Sequence, residues 1–123
     1  MKVLQINSVY GVGSTGRIVA DLEEVLVEQG HETLVCYGRG AIQHGERVYK
    51  IGSSLDNKFH AIVTRVFDKH GFASKRATKD LIEIILKYDP DIIHLHNIHG
   101  YYINIEILFF FLKVYNKPVV WTL

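Results

Sequence analysis

The chain has 123 residues, of which 48% are hydrophobic, and its formal net charge is +1. This length predicts one domain, and the hydrophobic content is sufficient for a packed core. A net charge so close to zero argues against a dedicated nucleic-acid-binding protein, because such proteins carry a clear excess of Lys and Arg.

The single cysteine and the apolar runs bear on the compartment. Cys36 lies within an apolar run, which predicts a buried thiol in a reducing compartment rather than a nucleophile. Residues 1–7 are too short and too soon interrupted by polar side chains to form a secretory signal. The longest apolar run, residues 107–112, is far shorter than a membrane span. We therefore expect a soluble, cytoplasmic domain.

Strands and helices alternate in the first third of the chain. Residues 3–6 and 33–37 are predicted strands, and a glycine-rich loop follows the first of them. A helix is predicted from about residue 17 to residue 29, with Ser14 or Thr15 as its cap and Gly30 as a left-handed stop. The positions with helical spacing that predict its buried face are Ile18, Leu22, Val25 and Leu26.

The remainder of the chain continues the alternation. A short strand is predicted at residues 47–51, then a helix from Asp56 that ends at Gly71. A further helix runs from Ser74 or Thr78 to Tyr88, and the proline that follows predicts a break. The last three predicted elements are a strand at residues 91–97, a helix at residues 103–115 and a buried strand at residues 118–123.

This order predicts an α/β fold with a doubly wound parallel sheet and helices on both faces. The predicted strands are short and apolar without clean alternation, as expected when both faces of a sheet are covered. Right-handed crossovers then determine most of the topology.

Gly11, Gly13 and Gly16 match the pattern G-x-G-x-x-G between a strand and a helix. Glycines let the backbone approach a diphosphate, and free N–H groups at a helix start bind anions. Four residues separate the strand from the first glycine, and no acid follows the second strand to hold a ribose, which disfavours a nicotinamide cofactor. Arg39 follows that strand instead and can meet a 2′-phosphate. Three interpretations stay open: a sugar-nucleotide or other phosphate contact, a phosphorylated dinucleotide, and a structural turn.

Arg17 lies in the first turn of the predicted helix. A cation there opposes the helix dipole, which indicates either an anion nearby or an ordinary exposed arginine.

The predicted strand at residues 91–97 carries two histidines, His94 and His96, on one face. Asn97 and His99 follow at its carboxyl end, where α/β proteins bind ligands. Neutral histidine and asparagine offer both donors and acceptors, which suits recognition of hydroxyl groups. The pattern favours a hydrogen-bonded core histidine at His94 and a site role for His96 and Asn97, and it leaves His99 undecided. Spacing predicts no third metal ligand and no nucleophile–base pair.

Four segments resemble glycosyltransferase family 4. They are the opening MKVLQIN, the GRI at residues 16–18, the KPVVWTL at residues 117–123 and, above all, the PDIIHLHN at residues 90–97. The resemblance is closest to bacterial members that build cell-surface polysaccharides. It implies that residues 1–123 form one Rossmann-like half of a GT-B fold, the amino-terminal and mainly acceptor-binding domain, without the carboxyl-terminal donor domain.

The resemblance also implies roles for individual residues. The donor diphosphate would face Gly13, Ser14, Thr15, Gly16 and Arg17, and the acceptor side would comprise His96, Asn97 and His99. The activity implied is retaining transfer of a sugar from a nucleotide-sugar donor to a glycan or lipid-linked acceptor, with no metal or other cofactor. The family's His-Asp pair would follow residue 123, so we expect no catalytic residue within the chain and no transfer by the chain alone.

Two surfaces suggest partners. The cations Lys58, Arg65, Lys69, Lys75, Arg76 and Lys79 predict either peripheral contact with the inner face of the membrane or an ordinary solvated basic face. The helix at residues 103–115 is apolar nearly all round, which predicts burial on several sides or a face covered by the absent half. If that face is exposed, self-association is expected. The alternative functions are a nicotinamide-dinucleotide oxidoreductase domain and a non-enzymatic α/β fragment.

Overall fold

The computed structural model describes residues 1–41, 43, 45–52, 70–98 and 103–122, with the backbone alone at residues 70–74. Within these ranges the strands are β1 (Lys2–Asn7), β2 (Glu32–Tyr37), β3 (Val48–Lys50), β4 (Ile92–Leu95) and β5 (Val119–Trp121). The helices in the same ranges are α1 (Gly13–Glu28), α2 (His70–Tyr88) and α3 (Ile105–Tyr115).

The strands form one sheet in the order β3-β2-β1-β4-β5, and every described pairing is parallel. Leu4 of β1 lies opposite Leu34 on one side and Ile93 on the other. This confirms the predicted α/β fold with a doubly wound parallel sheet. The chain builds outward from β1 through β2 to β3, and then returns to build β4 and β5 on the opposite side.

Helices cover both faces of the sheet, as predicted. On one face, Leu4, Ile6 and Ile93 pack with residues of α2 and α3 in a single apolar cluster. The helix side chains in that cluster include Leu81, Ile85, Leu108 and Leu112. Each side chain of this type contributes about 1.5–3 kcal/mol when it is fully buried. On the other face, α1 packs over β1 and β2 with Val19 fully buried.

The predicted start of α1 is wrong by about one turn. The helix begins at Gly13, its N-cap is Val12, and no side chain caps it, so neither Ser14 nor Thr15 serves as the cap. The reason lies in Gly13, whose φ of 68° lets the chain turn into the helix directly from the glycine loop.

The predicted buried face of α1 is right in part, because Leu22 and Leu26 are half-buried, but Val25 is exposed. Ile18 is 51% exposed, whereas Gly16, Val19 and Glu23 are the buried residues of the helix. A Cβ on Gly16 would lie 3.0 Å from a methyl group of Val9 and 3.2 Å from the backbone nitrogen of Gly11. Because Gly16 has no side chain, the face of α1 that carries Gly16, Val19 and Glu23 can approach the loop and the sheet.

The predicted stop at Gly30 is confirmed. Gly30 has a φ of 85°, its N–H donates to the carbonyl of Val27, and the N–H of His31 donates to the carbonyl of Leu26. This pair of bonds satisfies two carbonyls at the end of α1 in a Schellman motif.

The middle of the chain matches its prediction in part. β3 confirms the short strand, and the full burial of Cys36 confirms the buried thiol, whose pKa is raised by burial. α2 already begins at His70, so Gly71 lies within a helix instead of ending one. The helix predicted from Asp56, with Lys58, Arg65 and Lys69, lies outside the described residues; Lys75, Arg76 and Lys79 are exposed on α2.

The carboxyl-terminal elements are more exposed than predicted. All three residues of β5 are exposed, which corrects the predicted buried strand. β5 has β4 as its one neighbour among the described strands, and α3 reaches the core through Leu108 and Leu112. Phe110 and Val114 lie on the far side of α3 and are 72% and 69% exposed, so burial of this helix on several sides is not observed in the described part of the chain.

None of the helices in the described ranges combines the length and the apolar character needed to cross a membrane.

Replacing Gly30 with Ala should lower the free energy of unfolding by about 1–2 kcal/mol, because an L-residue is strained at this left-handed position. Nothing lies within 4 Å of the added Cβ, so the loss would reflect the backbone alone. Urea unfolding followed by circular dichroism measures it. Gln29→Ala is the matched control, since Gln29 has a φ of −85° that alanine tolerates. Equal stability of the two variants would contradict the assignment.

Candidate functional site

The carboxyl ends of β1 and β4 lie side by side at the centre of the sheet. α1, which follows β1 in the chain, covers one face of the sheet, and α3, which follows β4, packs on the other face. Open α/β sheets bind their ligands at the carboxyl edge where neighbouring strands are followed by helices on opposite faces. We call this edge the rim and define it by residues 7–17 and 96–97.

Hydrogen bonds between β1 and the residues after β4 hold the rim together. The N–H of Asn97 donates to Oδ1 of Asn7 at 3.0 Å, and the N–H of His96 donates to the carbonyl of Ile6 at 2.9 Å. The amide nitrogen of Asn7 donates in turn to the carbonyl of Val9 at 2.7 Å. A single carboxamide therefore connects the start of the β1–α1 loop to the start of the loop after β4.

The glycine loop (residues 11–16) forms the other part of the rim. Gly11 has a φ of 73°, and its N–H donates to the carbonyl of Gly16 at 2.9 Å, so the loop folds back on the first turn of α1. No acidic side chain lies in that first turn, and Ser14 and Arg17 are exposed. Backbone N–H groups, the positive end of the helix dipole and a guanidinium therefore lie within one turn of each other.

His96 is a buried, neutral part of the rim. Its side chain is 6% exposed, and its Nε2 lies 2.8 Å from Oε1 of Gln5. The amide nitrogen of Gln5 donates to the carbonyl of Val19 on α1, so Oε1 faces the imidazole and Nε2 of His96 is the donor. Burial, with a smaller contribution from His94, lowers the pKa of His96 to about 4. The imidazole is therefore neutral at pH 7.

His94 stacks on His96 and connects the rim to β5. The two ring centroids are 3.9 Å apart, and Nε2 of His94 lies 2.6 Å from the hydroxyl oxygen of Thr122. Burial lowers the pKa of His94 as well. The indole N–H of Trp121 donates to the carbonyl of His96 at 3.0 Å. The carboxyl end of β5 thus contacts the backbone and side chains of the histidine strand directly.

The predicted site residues divide into three groups. Gly13, Ser14, Thr15, Gly16 and Arg17 form the first turn of α1, and His96 and Asn97 lie at the end of β4, on the same edge of the sheet. His99 lies outside the described residues. His94 is more exposed than His96. Its hydrogen bond with Thr122 agrees with the prediction of a hydrogen-bonded histidine at this position.

Sequence reasoning did not identify Gln5, Asn7 or Trp121 as part of this edge. Gln5 and Asn7 carry a signal, because they are polar residues on one face of an otherwise apolar strand. Both are fully buried and hydrogen-bonded. Trp121 carries no such signal, since its indole N–H finds a partner only through the pairing of β5 with β4.

Within the described ranges, no three side chains capable of metal ligation converge.

A cavity lies outside the rim. It has a volume of about 250 Å³, lies under α1 and is bordered by Gln5, Leu22 and His94. Met1 and His31 also line it, which puts it toward the amino ends of the strands and away from the rim.

The stability of the protein should fall as the pH drops from about 6.5 to about 4. The unfolded chain takes up a proton on His96 near pH 6.5, whereas the folded protein resists it until about pH 4. This difference contributes about 2–3 kcal/mol that is fully present above pH 6.5 and is lost through this range. Urea unfolding at pH 7.5 and pH 4.5 measures the loss.

The matched variant for this pH dependence is His96→Gln, whose amide N–H can still donate to Gln5 but does not titrate. It should lose about 2 kcal/mol less than the wild type between the two pH values. Equal losses in both proteins would show that His96 is not the group responsible.

Comparison with known proteins identifies a family for most of the chain. The sequence profile described as Glycosyltransferase Family 4 matches residues 15–123. The matched range contains most of α1 and all later described strands and helices, including β4 with both histidines. No protein of curated description matches the chain.

Proposed function

Because the chain belongs to glycosyltransferase family 4, we propose that it is the amino-terminal, mainly acceptor-binding domain of a retaining transferase. The substrates proposed are a nucleotide-sugar donor and a glycan or lipid-linked acceptor of bacterial cell-surface polysaccharide synthesis. The observation that carries the proposal is the adjacency of the glycine loop and the histidine strand at one edge of a parallel sheet, joined by the bond from Asn97 to Asn7. The fold is consistent with one Rossmann-like half of a GT-B enzyme.

The proposed donor contact is the first turn of α1. Gly13, Ser14, Thr15 and Gly16 present backbone N–H groups that no side-chain cap from Val12 covers. Arg17 adds a cation in the same turn, and the turn contains no acid to neutralise it. An electropositive helix terminus of this kind favours a diphosphate. Its role in transfer would be to stabilise the negative charge that develops on the departing nucleoside diphosphate.

The proposed acceptor side comprises His96, Asn97 and His99. Asn97 is half-buried at the end of β4, so its carboxamide is the group best suited to contact a sugar hydroxyl. His96 is nearly buried and bonded to Gln5, so we assign it to supporting the strand end and to keeping this wall neutral. An uncharged surface at this part of the rim suits an acceptor that presents hydroxyl groups, because those groups are uncharged as well.

The proposed location is the cytoplasm, with peripheral contact to the inner face of the membrane. Lys75, Arg76 and Lys79 are exposed along the first half of α2. Cations in such a row attract anionic lipid headgroups, and a lipid-linked acceptor would be delivered at that surface.

Titration of the purified chain with UDP, GDP and NADPH, followed by NMR of the backbone amides, tests the proposal. A nucleoside diphosphate should shift the amides of Gly13 to Arg17, and NADPH should not. Arg17→Gln should weaken the binding by about fivefold, which corresponds to about 1 kcal/mol. Lys75→Gln is the control, because it removes an exposed cation from α2 and should leave the affinity unchanged.

Shifts produced by NADPH alone would favour the oxidoreductase alternative. Absence of any shift at millimolar nucleotide would contradict the donor contact.

A further inference from the structure

A buried carboxyl group on α1 has no part in the proposed donor or acceptor contacts. Glu23 lies on the sheet-facing side of the helix and is 7% exposed. Its Oε1 accepts a hydrogen bond from the hydroxyl of Tyr10 at 2.7 Å, while its Oε2 is buried without a hydrogen-bond partner among the described residues. Burial of a carboxyl group with so few hydrogen-bond partners costs free energy, so the presence of Glu23 at this position calls for an explanation.

The partner of Glu23 is the residue that directly precedes the glycine loop. Burial, followed by the bond to Glu23, raises the pKa of Tyr10 to about 12, so its hydroxyl remains a donor at neutral pH. The carbonyl of Tyr10 accepts a second bond, from the side-chain amide of Gln43 at 2.8 Å. Tyr10 is thus held at its side chain by α1 and at its backbone by the segment that follows β2.

The position of Tyr10 determines the path of the glycine loop. A Cβ on Gly16 would lie 3.4 Å from the carbonyl carbon of Tyr10, so the first turn of α1 packs closely on this residue. Gly11, the next residue, donates its N–H to the carbonyl of Gly16. A displacement of Tyr10 would therefore open the hydrogen bond that folds the loop back on the helix.

The loop after β2 belongs to the same hydrogen-bonded unit. The N–H of Gln43 donates to the hydroxyl of Tyr37, which donates to the carbonyl of Ala41. The N–H groups of Gly38 and Arg39 both donate to the carbonyl of Ser8. Two loops that are far apart in sequence thus converge on residues 8–10, and the bond between Tyr10 and Glu23 fastens them to α1.

We propose that the Tyr10–Glu23 hydrogen bond is a latch that holds the glycine loop in its closed path, and that Glu23 is a positioning residue for ligands of that loop. The second part rests on the proposed function. Glu23 does not reach the ligand itself, since it lies ten residues into the helix from Gly13. It acts through Tyr10 and the loop backbone.

Two substitutions remove the hydrogen bond from either side. Glu23→Leu removes the acceptor for Tyr10 together with the buried Oε2 that has no partner among the described residues. We expect the fold to be retained, because the hydroxyl that loses its acceptor belongs to a half-buried side chain and can bond to water. Tyr10→Phe removes the donor and leaves the ring in contact with Tyr37, whose centroid lies 5.9 Å away.

Amide hydrogen exchange of Gly11, measured by NMR on the 123-residue chain, tests the latch. Tyr10→Phe and Glu23→Leu should each accelerate exchange at Gly11 by about tenfold, because local opening no longer has to break the latch. Glu23→Gln should exchange at nearly the wild-type rate, since its amide oxygen still accepts from Tyr10. Tyr88→Phe is the control, because it deletes a buried hydroxyl without a described partner far from the loop.

Unchanged exchange in Tyr10→Phe would overturn the latch, and so would equal acceleration in Glu23→Gln and Glu23→Leu. Should Glu23→Leu not fold, Tyr10→Phe decides the question, with urea unfolding of the same variant measuring separately the global stability lost when Oε1 of Glu23 has no donor.

The affinity for UDP, measured on the same variants, tests the positioning role. Tyr10→Phe and Glu23→Leu should bind UDP about fivefold more weakly, with Glu23→Gln and Tyr88→Phe close to the wild type. Faster exchange with unchanged affinity would overturn the positioning role and leave the latch in place. If the wild type itself binds no nucleoside diphosphate, the donor contact and the positioning role both fail, while the exchange rates still decide the latch.

Discussion

Parallel pairing of β1 with β4 places the ends of two strands that are about ninety residues apart in sequence at one level of the sheet. Ile6 lies opposite Leu95, so the next residues of the two strands meet at the edge. The carboxamide of Asn7 then bonds the backbone of Asn97. The junction between residues 7 and 97, the stacked histidines and the contact from Trp121 all depend on this register.

The register is supported by polar side chains inside an apolar sheet. Gln5 and His96 bond to each other on the α1 face, and Gln5 also bonds the carbonyl of Val19. A shift of one residue in the pairing would turn these groups toward the apolar cluster on the other face and leave them without partners. Buried polar groups that are satisfied in one arrangement alone disfavour the alternatives, and this adds to the constraint that the apolar residues around them provide.

The centre of the sheet and its β5 edge differ in how completely they are covered. β1 is covered on both faces and carries no exposed side chain, whereas every residue of β5 is exposed. Trp121 contacts Phe109 of α3 edge to face, with ring centroids 5.7 Å apart, but Phe110 and Val114 find no cover in the described part of the chain. Exposed apolar side chains of this size are energetically unfavourable in water, so covering this surface would gain free energy.

By itself the sequence determined the alternation of strands and helices, the stop at Gly30, the burial of Cys36 and the presence of polar residues at the ends of the first and fourth strands. These depend on local propensity and on periodicity within a few residues. Tertiary structure decided that the most buried positions of α1 are Gly16, Val19 and Glu23 and that Ile18 is exposed, because the helix approaches the loop closely at Gly16. It also decided which polar groups meet: Gln5 with His96, Asn7 with Asn97, and Tyr10 with Glu23. The two residues of each pair belong to different elements of the fold and meet only when the sheet is assembled. A local sequence pattern therefore cannot predict their hydrogen bond.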